Sequence, residues 1–301
     1  MDLSDLLIFK TVAEAGGIVK AAGRLHRVQS NVSTRIQQLE ASIGVALFVR
    51  EKQRLHLSPR GQMLLVYADK LLRLADEARG AVNSGAPRGT LRLGALESTS
   101  ASRLPAILSE FHVQCPEVSV ELTTGTNDFL AAAVTDRRLD AAFIAQSPAQ
   151  KELSFVPLFH EHLVLITTRA HRPVTRSADV AGESVIAFPH GCAYRRVLER
   201  WLGVQTLATV RVLELSSYHA IVACVASGTG IAIVPESVLA TVQSALVRRH
   251  EIPKVLCNVV TPLVWRTGEQ TPAVVALRDL ARRKCLAAAP RGRRSPGQVP
   301  A

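Results

Sequence analysis

Apolar positions along the chain change their spacing from one stretch to the next, and each change marks a different part of the molecule. Leu3, Leu6, Leu7, Phe9 and Val12 share one helical face, and Gly16-Gly17 ends that run. A second, shorter helix is predicted from about Ile18 to Leu25, with Ala21 and Ala22 allowing close helix approach. His26-Arg27-Val28 reads as a tight turn before a third helix over Gln29–Ile43. There Val32, Ile36, Leu39 and Ile43 form the expected buried stripe, while Gln29, Ser30, Asn31, Thr34, Arg35, Gln37 and Gln38 occupy the other side. Leu47–Arg50 and Arg54–Leu57 alternate apolar and polar residues, the pattern of a small hairpin or wing. Ser58-Pro59, a cap followed by a first-turn proline, opens a long helix reaching about Asn83. Its stripe is Leu64, Tyr67/Ala68, Leu71, Leu74/Ala75, Ala78 and Val82, spread over about 37 Å at the helical rise. Ser84–Gly89 then reads as a hinge.

Beyond residue 90 short strands alternate with helices. Strands are predicted at Thr90–Leu96, Val118–Thr123, Ala141–Ile144, Leu163–Thr167, Ser184–Phe188, Val210–Leu215, Gly230–Val234 and Val259–Trp265. Helices are predicted at about 102–113, 127–138, 193–202, 217–227, 235–245 and 272–286. This interleaving predicts an α/β fold with largely parallel sheets. About 195 residues is long for one such sheet, so two subdomains joined by crossings near 161–166 and 261–266 are expected. The division expected is a helical head with a wing over 1–58, a linker helix and hinge over 59–89, an α/β body over 90–286, and a tail over 287–301. Within the body, one subdomain takes 90–162 and 266–286 and the other 163–265.

Charge sharpens this division. Residues 1–90 carry a net +5, residues 91–280 are neutral, and residues 281–301 carry +6 with no acidic residue. Between residues 18 and 60 eight basic side chains face only Glu40 and Glu51. One end is therefore suited to a polyanion. The polar side of the third helix makes that polyanion double-stranded DNA. Asn and Gln can bond adenine at two points, Arg can do so to guanine, and hydroxyls serve either. Two helices joined by a three-residue turn have the dimensions that enter a major groove. Arg50, Lys52 and Arg54 on the wing are expected to clamp phosphates together, although each alone reads equally well as a surface cation. The long helix is expected to pair with a second copy rather than to pack on its own domain. The resulting dimer or tetramer would suit a promoter with an inverted repeat.

Ala21-Ala22, Leu25, Gln29-Ser30, Val32-Ser33, Ile36, Leu39-Glu40, Gly44, Leu47-Phe48, Arg50, Leu57-Ser58-Pro59 and Gly61, in ungapped spacing, resemble the winged helix-turn-helix of LysR-type transcriptional regulators. Val28 stands where the family often has Ser or Thr, and Arg27 where it has an aliphatic residue, which makes Arg27 an added phosphate contact. The resemblance implies that Gln29, Ser30, Asn31, Ser33, Thr34 and Arg35 face DNA, with Gln37 beside them; for Ser33 a local cap is the other reading. It also implies that the long helix is the dimerisation element. Residues 90–285 resemble the family's effector-binding part, built like a periplasmic solute-binding protein.

Open α/β sheets bind ligands beyond the carboxyl ends of their strands. Four loops sit there: Glu97-Ser98-Thr99-Ser100, Gly125-Thr126-Asn127, Pro189–Tyr194, and Ser216-Ser217-Tyr218-His219. Their hydroxyls and helix-start amides predict a small-molecule effector, most simply a carboxylate. The resemblance carries the inducer site onto Ser98, Thr99, Thr126, Gly191 and Cys192, and Ser100, Gly125 and Tyr218 lie in the same loops. Each hydroxyl taken singly serves equally well as a helix cap. Cys192, at a predicted helix start, also admits a low-pKa sensor reading.

Other classes lose ground. Gly228-Thr229-Gly230 precedes a strand rather than following one, so it is no dinucleotide loop, and neither a phosphate-binding loop nor a nucleophile elbow is present. No catalytic residue, cofactor or metal site is predicted. Five scattered cysteines, the acidic start Met1–Asp5 and the lack of a membrane-length apolar run predict a cytoplasmic protein with no membrane partner and no secretory signal. Arg291, Arg293 and Arg294 in the Pro/Gly-rich tail, expected to be disordered, either add weak attraction to nucleic acid or have no role. The function expected is a sequence-specific, effector-responsive transcriptional regulator. An enzyme fused to a DNA-binding head and a ligand-independent DNA binder remain the alternatives.

Overall fold

The computed structural model describes residues 1–51, 54–82, 87–146, 148, 150–203, 210–242 and 244–288. The chain falls into two units, Met1–Gly85 and Ala86–Ala301. The proposed tail from residue 289 onward, with Arg291, Arg293 and Arg294, lies outside the described residues, as do Ser84, Gly85 and Ala86 of the expected hinge.

The first unit runs α1 (Leu3–Ala15), α2 (Ile18–Arg24), α3 (Gln29–Ile43), β1 (Phe48–Glu51), β2 (Arg54–Leu57) and α4 (Pro59–Val82). Asp2 and Asp5 cap α1 reciprocally, each carboxylate accepting the other's backbone N–H at 2.8 and 3.1 Å. The N–H of Asp5, aided by Arg35, holds the Asp2 carboxyl below the usual carboxylate range. Val28 precedes α3 without a side-chain cap, and Gly44 ends it at φ 79°, a left-handed conformation that glycine adopts freely. Phe9, Val12, Val32, Ile36 and Leu39 build the core. Ile43, expected to continue the stripe, is 38% exposed, because the helix stops one residue later.

Ser58 behaves as its sequence position predicts: its Oγ accepts the Gly61 N–H at 2.9 Å and donates to the Ala46 carbonyl at 2.7 Å. A Cβ at Gly61 would run into the Leu47 carbonyl, so this glycine permits the close approach of α4 to the start of the wing. Helix α4 differs from expectation in having two apolar sides. Leu64 and Ala68 turn inward with Leu65 and Leu72, and Lys10 of α1 pairs with Asp69. Met63, Val66, Tyr67, Leu71 and Leu74 are exposed. No described helix is long and apolar enough to cross a membrane.

The second unit begins with β3 (Gly89–Ala95), α5 (Glu97–Ser102), α6 (Leu104–Gln114), β4 (Val118–Thr124), α7 (Asn127–Thr135), β5 (Ala141–Phe143) and β6 (Leu153–Thr168). It continues with β7 (Val185–Ala187), α8 (Ala193–Leu202), β8 (Val212–Glu214), α9 (Tyr218–Ala226), β9 (Ala232–Pro235) and α10 (Glu236–Leu239). It ends with β10 (Val247–Glu251), α11 (Lys254–Cys257), β11 (Asn258–Arg266) and α12 (Pro272–Ala288).

The expectation of largely parallel sheets is corrected. Strand order is β10-β6-β11-β5-β3-β4, with β9 also on β6. Among the described strands β3 pairs in parallel with β4 and β5, and β7 with β8, whereas β6 is antiparallel to β9, β10 and β11. The cause is β6 itself, a 16-residue strand of which only the second half, 163–167, is expected from the sequence. Leu153–His162 pairs with β11, and Leu163–Thr168 pairs with β9 and β10. β6 therefore changes partners between His162 and Leu163, inside the expected 161–166 segment. The helix expected at 102–113 is α6, with the separate short helix α5 ahead of it and Arg103 between them, and that expected at 235–245 is the single turn α10. Strand β10 is absent from the sequence reading.

His250 on β10 is buried as a neutral ring. The Val174 N–H donates to its Nδ1 at 3.1 Å, which leaves Nε2–H for Thr167 Oγ1 at 2.9 Å. Burial, and then His171 and Arg248, hold its pKa below the ordinary value. The unfolded chain therefore takes up a proton near pH 6.5 that the native ring resists, so this stability is full above that pH and is lost as pH falls below it. Urea midpoints should fall between pH 7.5 and 5.5, and His250→Gln should flatten that slope; an unchanged slope refutes the assignment. Gly61→Ala should destabilise the first unit by roughly 1–3 kcal/mol through the Leu47 clash, read by the same denaturation.

Candidate functional site

On α3, Gln29, Ser30, Asn31, Thr34 and Gln37 form a contiguous exposed polar face, with Ser33 partly buried at its edge. Arg27 is exposed beside them, and its Nη1 donates to Asn31 Oδ1 at 3.3 Å. Arg35 departs from the expected set. Its guanidinium turns back to the α1 cap, 2.7 Å from Asp5 and 3.1 Å from Asp2. Two carboxylates hold it there, so it is not a free donor for a base edge. Lys52 lies outside the described residues, as do the side chains of Arg50 and Arg54. Glu40, which the sequence reading passed over, fixes the wing: its Oε1 accepts the N–H groups of Leu47 and Phe48 at 2.7 and 3.1 Å. A carboxylate close to the C-terminal end of a helix, where the dipole disfavours it, was the available signal.

In the second unit the loops after β3, β4 and β7 and the start of α9 converge on a small open crevice. Ser98, Gly125, Thr126, Cys192 and Tyr218 of the expected set line it, together with Leu96, Glu97, Phe188, Ala193 and Tyr194. Thr99, Ser100 and Gly191 do not. Thr99 is turned into the protein, 1% exposed, and Ser100 Oγ donates to the Glu97 carbonyl as a local cap. Gly191 stands behind the wall at φ 89°; a Cβ there would lie 3.1 Å from Thr126 Oγ1. Its role is to let two loops touch.

Thr126 caps α7, its Oγ1 accepting the Phe129 N–H at 3.4 Å. The hydroxyls of Ser98 and Tyr194 are buried close together with no hydrogen bond of good geometry. Burial pushes both the Tyr194 and Tyr218 phenols up. Cys192 begins α8, yet burial raises its thiol above the ordinary range and outweighs the backbone N–H groups of Arg195 and Tyr194. That opposes the low-pKa sensor reading, and among the described residues all five cysteines are free.

The expected anion meets hydroxyls in this crevice, but the single charged side chain on its wall is acidic. Glu97 accepts the Tyr218 N–H at 3.3 Å through Oε1, and burial lifts its pKa. Phe188 and Tyr218, with ring centres 4.7 Å apart, line the crevice with it. Glu97 shares its loop with Ser98, Thr99 and Ser100, and in sequence it reads as a surface carboxylate beside them. Phe188 and Tyr194 carried only core signals.

Comparisons with known proteins agree for both units. Residues 3–62 match the bacterial regulatory helix-turn-helix protein, lysR family, and residues 84–286 match the LysR substrate binding domain. The chain is 36% identical over 268 residues to the uncharacterized HTH-type transcriptional regulator YusT of Bacillus subtilis, covering 88% of this chain and 90% of that one. It is 34% identical to the HTH-type transcriptional regulator GltR of the same organism, covering 92% and 94%. Full-length CbnR in complex with its target DNA superposes with a TM-score of 0.67 at 25% identity, over 94% of this chain and 99% of that one. A variant of full-length OxyR from Pseudomonas aeruginosa shares the fold with a TM-score of 0.71 at 23% identity, over 98% and 99%. With a helix-turn-helix head and a substrate-binding body both matched, the chain belongs to the LysR family of bacterial transcriptional regulators.

Proposed function

We propose that this regulator reads a specific DNA sequence with Gln29, Ser30, Asn31, Thr34 and Gln37, and that a small molecule in the Ser98/Thr126/Tyr218 crevice sets its activity. The observation that carries the first part is the uninterrupted polar face of α3, with no aliphatic residue among its exposed positions from Gln29 to Gln38. Arg27 and the wing residues Arg50, Lys52 and Arg54 are assigned to phosphates, and Ser33 to the edge of the base-reading face. Arg35 is assigned to holding α1 against α3. For the second part the support is the pair of buried hydroxyls, Ser98 and Tyr194, that lack good partners in the crevice wall.

The exposed stripe Met63, Val66, Tyr67, Leu71 and Leu74 on α4 supports pairing of two copies through that helix, giving a homodimer or homotetramer suited to an inverted repeat. Occupancy of the crevice would then alter the bend or spacing of the bound DNA. A cytoplasmic setting, with no membrane partner, accompanies this reading.

Selection from a random duplex library with the purified chain, followed by titration of the selected site, tests the assignment. Asn31→Ala should weaken the selected duplex by roughly 1–3 kcal/mol and relax preference at one base position. Equal losses on selected and random duplexes would demote Asn31 to a backbone contact. Arg35→Ala should lower the unfolding midpoint while leaving the pattern of base preference unchanged; a changed preference would return it to the base-reading set. A metabolite-independent footprint would favour the ligand-independent alternative.

A further inference from the structure

We infer that the effector carries a protonated amine, received by Glu97 and the Phe188–Tyr218 ring pair, and an oxygen-bearing group received by Ser98, Tyr194 and Thr126: a small zwitterion of the amino-acid class. This rests on the crevice being the effector site. Glu97 is the one charged residue on the crevice wall, and no Lys, Arg or His lines it. Its Oε1 is occupied by the Tyr218 N–H, whereas its Oε2 is buried with no partner. A buried carboxylate oxygen left unpaired is costly, and an ammonium group, with three donors and a positive charge, removes that cost.

His219, next to Tyr218 on α9, acts on Glu97 through its charge but does not bond the buried Oε2. Two arginines of α8, the helix that contributes Ala193 and Tyr194 to the wall, are engaged elsewhere. Arg195 pairs with Glu199 and Glu214 and bonds His190, while Arg196 reaches Asp128 and the Gly191 carbonyl. The two aromatic rings that line the crevice suit the same charge, since a π-face attracts a desolvated cation. At the other end Ser98 Oγ and Tyr194 Oη lie buried without good partners, and hydroxyls can donate to a carboxylate or carbonyl. A purely anionic ligand would bring its charge against Glu97.

The test uses the full chain in thermal-shift and calorimetric titrations with the proteinogenic amino acids, each beside its des-amino acid and its decarboxylated amine. At least one amino acid should bind, with its des-amino partner at least about tenfold weaker. Glu97→Gln keeps the acceptor for the Tyr218 N–H but removes the charge, and should weaken that amino acid at least about tenfold. Should Glu97→Gln fail to fold, Glu97→Asp, which keeps the charge, should retain amino-acid binding with a preference for amine-bearing ligands. Des-amino acids binding as well as amino acids, with Glu97→Gln harmless and Thr126→Val damaging, would overturn the inference while leaving the crevice as the effector site; Glu97 would then act as a neutral donor. Binding indifferent to both substitutions would remove the crevice reading itself. The absence of binding by every amine-bearing compound also overturns the inference.

Discussion

Glu161 lies at the middle of β6, 3% exposed, one residue before that strand leaves β11 for its second set of partners. Its carboxylate accepts Arg103 Nε at 2.8 Å and Nη2 at 3.3 Å, and Ser237 Oγ donates to it at 2.6 Å. Arg103 stands at the break between α5 and α6, and Ser237 stands on α10, directly after β9. One buried charge therefore ties the helix break beside the crevice to the strand shared by both sheets and to the helix beyond it. Removing one member of such a buried pair typically costs more than the pair contributes, because the other charge is left without water. The bond to Glu161 also pushes the Arg103 guanidinium further up.

The same region explains the shape of the sheet. Pro262 on β11 faces Pro157 on β6, and neither can donate a ladder hydrogen bond. The register slips between Thr261 and Pro262, the bulge that a proline inside a strand requires. Thr261 is left fully buried, its hydroxyl unpaired and close to Tyr194. A line of poorly satisfied hydroxyls, Thr261, Tyr194 and Ser98, thus runs from the bulge into the crevice wall. Ser98 in the crevice wall and Thr261 at the bulge therefore meet at one phenol.

Elements whose local pattern and tertiary role coincide were legible in the sequence. The α3 boundaries emerge as Gln29–Ile43 because the stripe, the polar face and Gly44 all point to one rod, and Ser58-Pro59 marks the start of α4 by capping chemistry alone. What was hidden depended on partners distant in sequence. Leu153–His162 contains Pro157, His160 and Glu161 and does not alternate cleanly, so only tertiary pairing makes it a strand. Val247–Glu251 is a polar edge strand whose inward residues are Val247 and His250. Arg35 offered the right chemistry for a base, but Asp2 and Asp5, some thirty residues earlier, hold it. Glu97 was overlooked for the opposite reason: a carboxylate amid hydroxyls reads as surface until the fold buries one of its oxygens.

Helix α4 shows why composition alone misjudges such a linker. Leu64, Leu65, Ala68 and Leu72 are fitted to the core of the first unit, and Gly61 sets how closely the helix can lie on Leu47. With that face spent, Met63, Val66, Tyr67, Leu71 and Leu74 remain as a second apolar stripe along the same rod. A helix apolar on both sides gains little from leaving either one in water. Because Lys10 and Asp69 lock the inner face to α1, a partner helix on the outer face would inherit the orientation of the recognition helix through rigid contacts within one unit. The spacing of two recognition helices would then be set by where along Met63–Leu74 the partner docks, a geometric constraint independent of any base contact.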